Sequence, residues 1–76
     1  MKEFIAYIIK NIVTNPDAVK VEESCGESTT IIDINVAEED VAKVIGKQGR
    51  TIKAVRTIAA GVGARLGRQV RIQVIQ

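Results

Sequence analysis

Apolar residues recur at Phe4, Ile5, Ile8, Ile9, Ile12 and Val13, spaced i, i+1, i+4, i+5, i+8 and i+9. That spacing forms one stripe and predicts a helix over about 3–14. A membrane-surface helix would share the stripe, but its polar face here offers only Lys2, Lys10, Asn11 and one acid, so the stripe reads as core. Asn15-Pro16-Asp17 stops the helix, because proline holds the residue before it in extended conformations. The period then falls to two. Val19 and Val21 alternate with Lys20 and Glu22, predicting a strand over about 18–23, and Ser24 to Ser28 turn around Gly26. Thr30, Ile32, Ile34 and Val36 alternate with Ile31, Asp33 and Asn35, predicting a second strand over about 29–36 that closes a hairpin.

Helical spacing returns at Val41, Val44 and Ile45, predicting a helix over about 38–45. Glu38, Glu39 and Asp40 precede it, negative charge where a helix start favours it, and are read as a helix-start device rather than a metal or acid/base cluster. Gly46-Lys47-Gln48-Gly49 then forms a turn over 46–49. Ile52, Val55, Ala59 and Val62 continue as a helix over about 50–62, with Gly61 and Gly63 expected to end it. Val70, Ile72 and Val74 alternate with Gln69, Arg71 and Gln73, a last strand over about 68–75. The predicted order is α-β-β-α-α-β, an α+β fold in one domain over 1–76, with helices on one face of a three-stranded sheet.

A chain of 76 residues buries roughly 60–65% of its unfolded surface, enough for a thin core and too little for an enclosed active site. There is no histidine, and the single cysteine, Cys25, has no base in the pattern beside it. The paired acids Glu22-Glu23 and Glu38-Glu39 are adjacent, so they do not face each other on a strand or helix. Gly61-Val62-Gly63 ends a helix, where a dinucleotide fingerprint follows a strand, and the Gly46–Gly49 turn lacks the spacing and the terminal Lys-Ser/Thr of a phosphate-binding loop. These features argue against an enzyme and call for no cofactor, metal or small-molecule substrate. A lone cysteine fits a reducing compartment. No apolar run reaches the ~20 residues of a membrane span, and Lys10 interrupts the apolar N-terminal stretch with no cleavage site after it. The reading is a cytoplasmic protein not inserted in a membrane.

Net charge is only +2, but its distribution is uneven. All nine acids lie in the first forty residues beside three lysines, a balance of −6. From Lys43 onward come eight basic residues and no acid, a balance of +8. Positive potential is thereby concentrated around the glycine turn, as a protein gripping a phosphate backbone requires. The two aromatic residues, Phe4 and Tyr7, both belong to the first helix, so the stacking surface that many RNA-binding folds use is missing. A basic GxxG turn without aromatics must grip backbone and seat bases against aliphatic side chains.

The stretch Val41-Ala42-Lys43-Val44-Ile45-Gly46-Lys47-Gln48-Gly49-Arg50-Thr51-Ile52 resembles the signature of the KH family, an apolar Ile-Gly-x-x-Gly-x-x-Ile core, and the helix-first order resembles the type II, prokaryotic KH topology. One such domain accounts for the whole chain, like the small single-KH RNA-binding proteins of bacteria. The resemblance implies a cytoplasmic RNA chaperone or post-transcriptional regulator that forms dimers. It also implies pairing with a larger protein bearing its own KH domain, and a link to cell elongation, cell shape and wall synthesis.

On this reading Gly46 and Gly49 allow close backbone approach, and amides opening the next helix bind phosphate. Lys47 and Arg50 add charge, Gln48 is an uncharged contact, and Lys43, Lys53 and Arg56 are outer candidates. Ile45 and Ile52 are candidates for the groove floor, with burial in the core as the alternative. Ala54, Ile58 and Gly61 share a helix face adjoining the core stripe, either a dimer contact or the edge of the core. The competing function is a protein-interaction or scaffold module with little RNA binding of its own.

Overall fold

The computed structural model describes residues 1–75 as three helices and a three-stranded sheet, an α+β arrangement. In chain order these are α1 (Lys2–Lys10), β1 (Lys20–Cys25), β2 (Thr29–Asn35), α2 (Val41–Ile45), α3 (Arg50–Arg65) and β3 (Gln69–Ile75). Single 3-10 turns lie at Pro16–Ala18, Glu38–Asp40 and Lys47–Gly49. The sheet order is β1-β2-β3. The hairpin pair is antiparallel, Val21 opposite Ile34, while β2 and β3 run parallel, Ile32 opposite Ile72.

Paired residues share a face of the sheet. Val21, Ile32, Ile34 and Ile72 therefore point together, and they meet Ile5 and Ile9 of α1, Val44 of α2 and Ile52, Val55 and Ala59 of α3 in one core. α1 packs against β1 and α3 against β3. Ile5, Ile9, Ile32 and Ile34 are wholly buried, each removal from water contributing about 1.5–3 kcal/mol. The opposite face carries Glu22, Asp33 and Gln73 in register.

Several boundaries differ from the pattern reading, each for a tertiary reason. α1 ends at Lys10, not near residue 14, although Ile12 and Val13 still pack on the core. Beyond Asn11 the chain leaves the helical path because the Thr14 and Asn15 N–H groups donate to the Asp40 carboxylate, at 3.0 and 2.9 Å. Pro16–Ala18 is a 3-10 turn with proline at its start, where the missing N–H costs nothing, so β1 begins at Lys20 rather than 18 and runs on to Cys25. β2 stops at Asn35, one residue short of the expected end. The expected 38–45 helix divides into the 3-10 turn and the single-turn α2.

α3 runs three residues past its expected end at 62. Gly61 and Gly63 are not terminators. A Cβ on Gly63 would lie 2.5 Å from Val70 Cγ2 and 2.9 Å from the Arg68 carbonyl oxygen, so this glycine lets α3 press onto the start of β3. The stop is Gly67, at φ 70°. Its N–H donates to Ala64 O and that of Arg68 to Gly63 O, the paired bonds of a Schellman cap. β3 follows from Gln69.

Candidate nucleic-acid interface

Between α2 and α3 the backbone reverses within four residues. Gly46 has φ 80° and ψ 175°, Gln48 φ 57° and ψ 26°, Gly49 φ 75° and ψ 15°. Gly46 occupies a region open essentially to glycine alone. Gln48 and Gly49 are both left-handed, which a residue with a Cβ adopts at some cost and glycine at none. The Gly49 N–H donates to Gly46 O at 3.1 Å and that of Gly46 to Ala42 O at 2.8 Å, tying the turn to itself and to α2.

The two glycines have different duties. A Cβ on Gly46 would fall 2.8 Å from Thr51 N and collide with the Thr51 side chain, so Gly46 is needed for the turn to close on its own helix. A Cβ on Gly49 would meet nothing within 4 Å. Space for an outside group therefore lies over Gly49. At this corner the Gly49 N–H is taken by Gly46 O and that of Arg50 by Lys47 O, while no side chain caps the first turn of α3, whose positive dipole end favours an anion. Lys47, Gln48 and Arg50 are all exposed around it, with Arg50 Nη2 reaching Gln48 Oε1 at 3.5 Å.

Lys53 and Arg56 continue from the turn along one exposed stripe of α3, joined a turn later by Ala60. Arg56, Ala60, Val70, Arg71, Ile72 and Gln73 line a shallow groove of about 390 Å³ between α3 and β3. β3 is an edge strand, and Arg56 Nη2 donates to the Ile72 carbonyl at 3.3 Å. Arg71 and the β3 backbone border this groove, and sequence reasoning did not single them out. A sequence pattern marks a strand without revealing that it lies at an edge. Ile52 is in the core at 6% exposure, whereas Ile45 stays half-buried next to the turn.

Two cations of the basic half are committed elsewhere. Lys43 Nζ donates to Thr14 Oγ1 and lies 4.0 Å from Asp40 Oδ1, which draws it toward the α1–β1 connection. Arg68 clamps the hairpin: Nε donates to Thr30 Oγ1 at 2.8 Å, and Nη2 to the Gly26 and Thr29 carbonyls at 2.7 and 3.0 Å. Asp40, read from sequence as a helix-start charge, makes no capping bond to α2 and is wholly buried. Its pKa is lowered, first by the Thr14 N–H and then by the two Asn15 donors and Lys43, against the opposing effect of burial. A depressed carboxylate stabilises the fold above the ordinary value of about 3.9 and loses that contribution as pH falls through its lower folded value.

On the far side of α3, Ala54, Ile58 and Gly61 are exposed together, Ile58 at 46%. Cys25 is free and exposed at the end of β1. Among the described residues no helix is long and apolar enough to cross a membrane, and no group of three or more acids or cysteine could hold a metal ion.

Comparison with known proteins identifies the family. The family model described as KhpA/KhpB, KH domain matches residues 2–74. Among similar proteins, "RNA-binding protein KhpA" of Chlamydia pneumoniae is 46% identical over 76 residues, all of this chain and 97% of the relative. That of Clostridium acetobutylicum is 41% identical over 75 residues, 99% of this chain and all of the relative, and that of Aquifex aeolicus 37% over 76 residues, all of this chain and 96% of the relative. These names describe RNA-binding proteins, not enzymes. No solved structure matches the chain with comparable significance. With the family model spanning nearly its full length and such relatives aligned end to end, this chain belongs to the KhpA/KhpB KH-domain family.

Proposed function

We propose that the domain binds single-stranded RNA through the Gly46–Gly49 turn and the groove beyond it, as a cytoplasmic RNA chaperone or post-transcriptional regulator. The observation that carries this reading is the open space over Gly49, beside the first turn of α3, which no side chain caps, and flanked by Lys47 and Arg50. Phosphate sits over the amides, and bases lie along the groove against Ala60, Val70 and the aliphatic stems of Arg56 and Arg71. The names of the relatives support RNA as the ligand. A KH domain clamps about four nucleotides, so binding by one copy is weak and strongly salt-dependent.

The test is a titration of a labelled 12-nucleotide single-stranded RNA at several salt concentrations. For three or four neutralised phosphates, the logarithm of affinity is expected to fall with that of salt at a slope of about −2 to −3. A flat line would remove backbone electrostatics as the source of affinity. Absence of binding would favour the alternative, a protein-interaction module.

The same reading includes a working dimer, either of this chain or with a larger KH-containing protein of the KhpB type. At ~100° per residue, the Ala54–Ile58–Gly61 face lies well away from the Lys53–Arg56–Ala60 stripe, so RNA and a second subunit do not compete for one surface. Alanine and glycine permit close approach around Ile58 in an isologous contact. Ile58→Glu is expected to give a folded monomer by analytical ultracentrifugation, with binding to long RNAs weakened through lost avidity. A dimeric variant, or a wild type that is monomeric at high concentration, would remove this interface.

A further inference from the structure

α2 is a helix of five residues, too short to hold its own shape, yet it carries the GxxG turn. Two side chains anchor it, Val44 in the core and Asp40 immediately before its first residue. Asp40 is wholly buried, and its oxygens take the backbone N–H groups of Thr14 and Asn15 and, at 3.3 Å, Asn15 Nδ2. The segment that leaves α1 is thus stapled to the segment that enters the turn, twenty-five residues apart in sequence. Asn15 Nδ2 also donates to Glu39 Oε1 at 2.7 Å, and Lys43 is drawn toward Thr14 and Asp40.

From this geometry we propose that Asp40 is a positioning residue for RNA binding: its carboxylate fixes α2 against the α1–β1 connection and so holds the Gly46–Gly49 turn in its gripping shape. The proposal rests on the RNA reading above only for its consequence, since the mechanical link can be measured without RNA. Asp40 makes no ligand contact itself. A neutral amide at this position would turn an N–H₂ toward N–H donors, so Asp40→Asn keeps the volume, leaves one acceptor oxygen and breaks one side of the staple. The effect spreads along α2 because, among the described residues, no second buried polar contact holds that helix. If the turn is then in its competent shape about a tenth of the time, apparent RNA affinity falls about tenfold with no ligand contact removed.

The experiment compares amide hydrogen exchange and binding of the labelled 12-nucleotide RNA in wild type and Asp40→Asn, well below the melting temperature of both. The expected result is faster exchange at the amides of residues 46–52 in the variant, with β2 and β3 amides unchanged, and about tenfold weaker binding. A lower melting temperature with unaltered exchange at 46–52 would make Asp40 a general stabiliser and overturn the proposal. Should Asp40→Asn fail to fold, native-state exchange of the wild type decides. The Thr14 and Asn15 amides are expected to open together with those of Val44 to Gly46, and independent opening would refute the link. If wild type binds no RNA, the functional reading fails while the exchange comparison still decides whether Asp40 holds the turn.

Discussion

Replacing Lys47 and Gln48 together by aspartate is expected to abolish RNA binding while leaving the domain folded. Both side chains are exposed, and neither makes a core contact. The left-handed φ of 57° at position 48 is one that aspartate adopts more readily than most residues, so the turn persists. The substitution removes one positive charge and adds two negative ones at the place proposed for phosphate. Charge-assisted contacts are each worth about 1.5–3 kcal/mol, so loss of two of them weakens binding at least about a hundredfold. Circular dichroism and fluorescence anisotropy check the two halves of the expectation. Unchanged affinity in a folded variant would mean that the grip lies elsewhere.

The second large effect separates the two glycines. Gly46→Ala is expected to lower Tm by at least about 15 °C, because the residue would be forced into a glycine-only region costing about 1–3 kcal/mol and would also displace Thr51, where 1 kcal/mol corresponds to about 4–8 °C in a domain this small. Gly49→Ala carries only the left-handed penalty of about 1–2 kcal/mol, and a Tm loss of about 5–10 °C is expected. For RNA the ranking reverses: among variants still folded, Gly49→Ala loses affinity out of proportion to stability, since its methyl group enters the open space over the turn. Adding Thr51→Ala to Gly46→Ala should restore only the share due to the Thr51 hydroxyl, since Thr51 Cβ at 2.6 Å and N at 2.8 Å still obstruct the new methyl group, and none of the part due to φ. Equal stability losses at the two positions would contradict this division of labour.

Element order and the turn were legible because they rest on local information. Period two at Thr30, Ile32 and Ile34 became the buried side of β2, and the stripe Ile52, Val55 and Ala59 became the core side of α3. What sequence concealed were contacts between distant segments. Nothing in the run Glu38-Glu39-Asp40 distinguishes the acid that is buried, because its partners are backbone amides at 14 and 15, and any residues could supply those. Gly63 resembled a terminator because a close approach to Val70 looks in sequence like any other glycine near a helix end. The basic half was read as one electrostatic unit, yet Arg68 holds the hairpin turn and Lys43 leans toward Asp40. Charge counts locate a field, and only packing says which cations are free to use it.

The parallel pairing of β2 with β3 has a kinetic consequence. Residues 36–68 form the crossover between these strands, and the Gly46–Gly49 turn lies inside it. The hairpin can zip up from its own short turn, but β3 finds its place only after α2 and α3 have folded back over the sheet. Closing the turn therefore belongs to the slow, non-local step of folding. Substitutions at Gly46 should slow refolding more than they speed unfolding, whereas changes at the β1–β2 turn should do less to the refolding rate. A ligand that holds the turn closed also holds the sheet together, so the surface proposed for recognition is part of the route by which the chain reaches its native state.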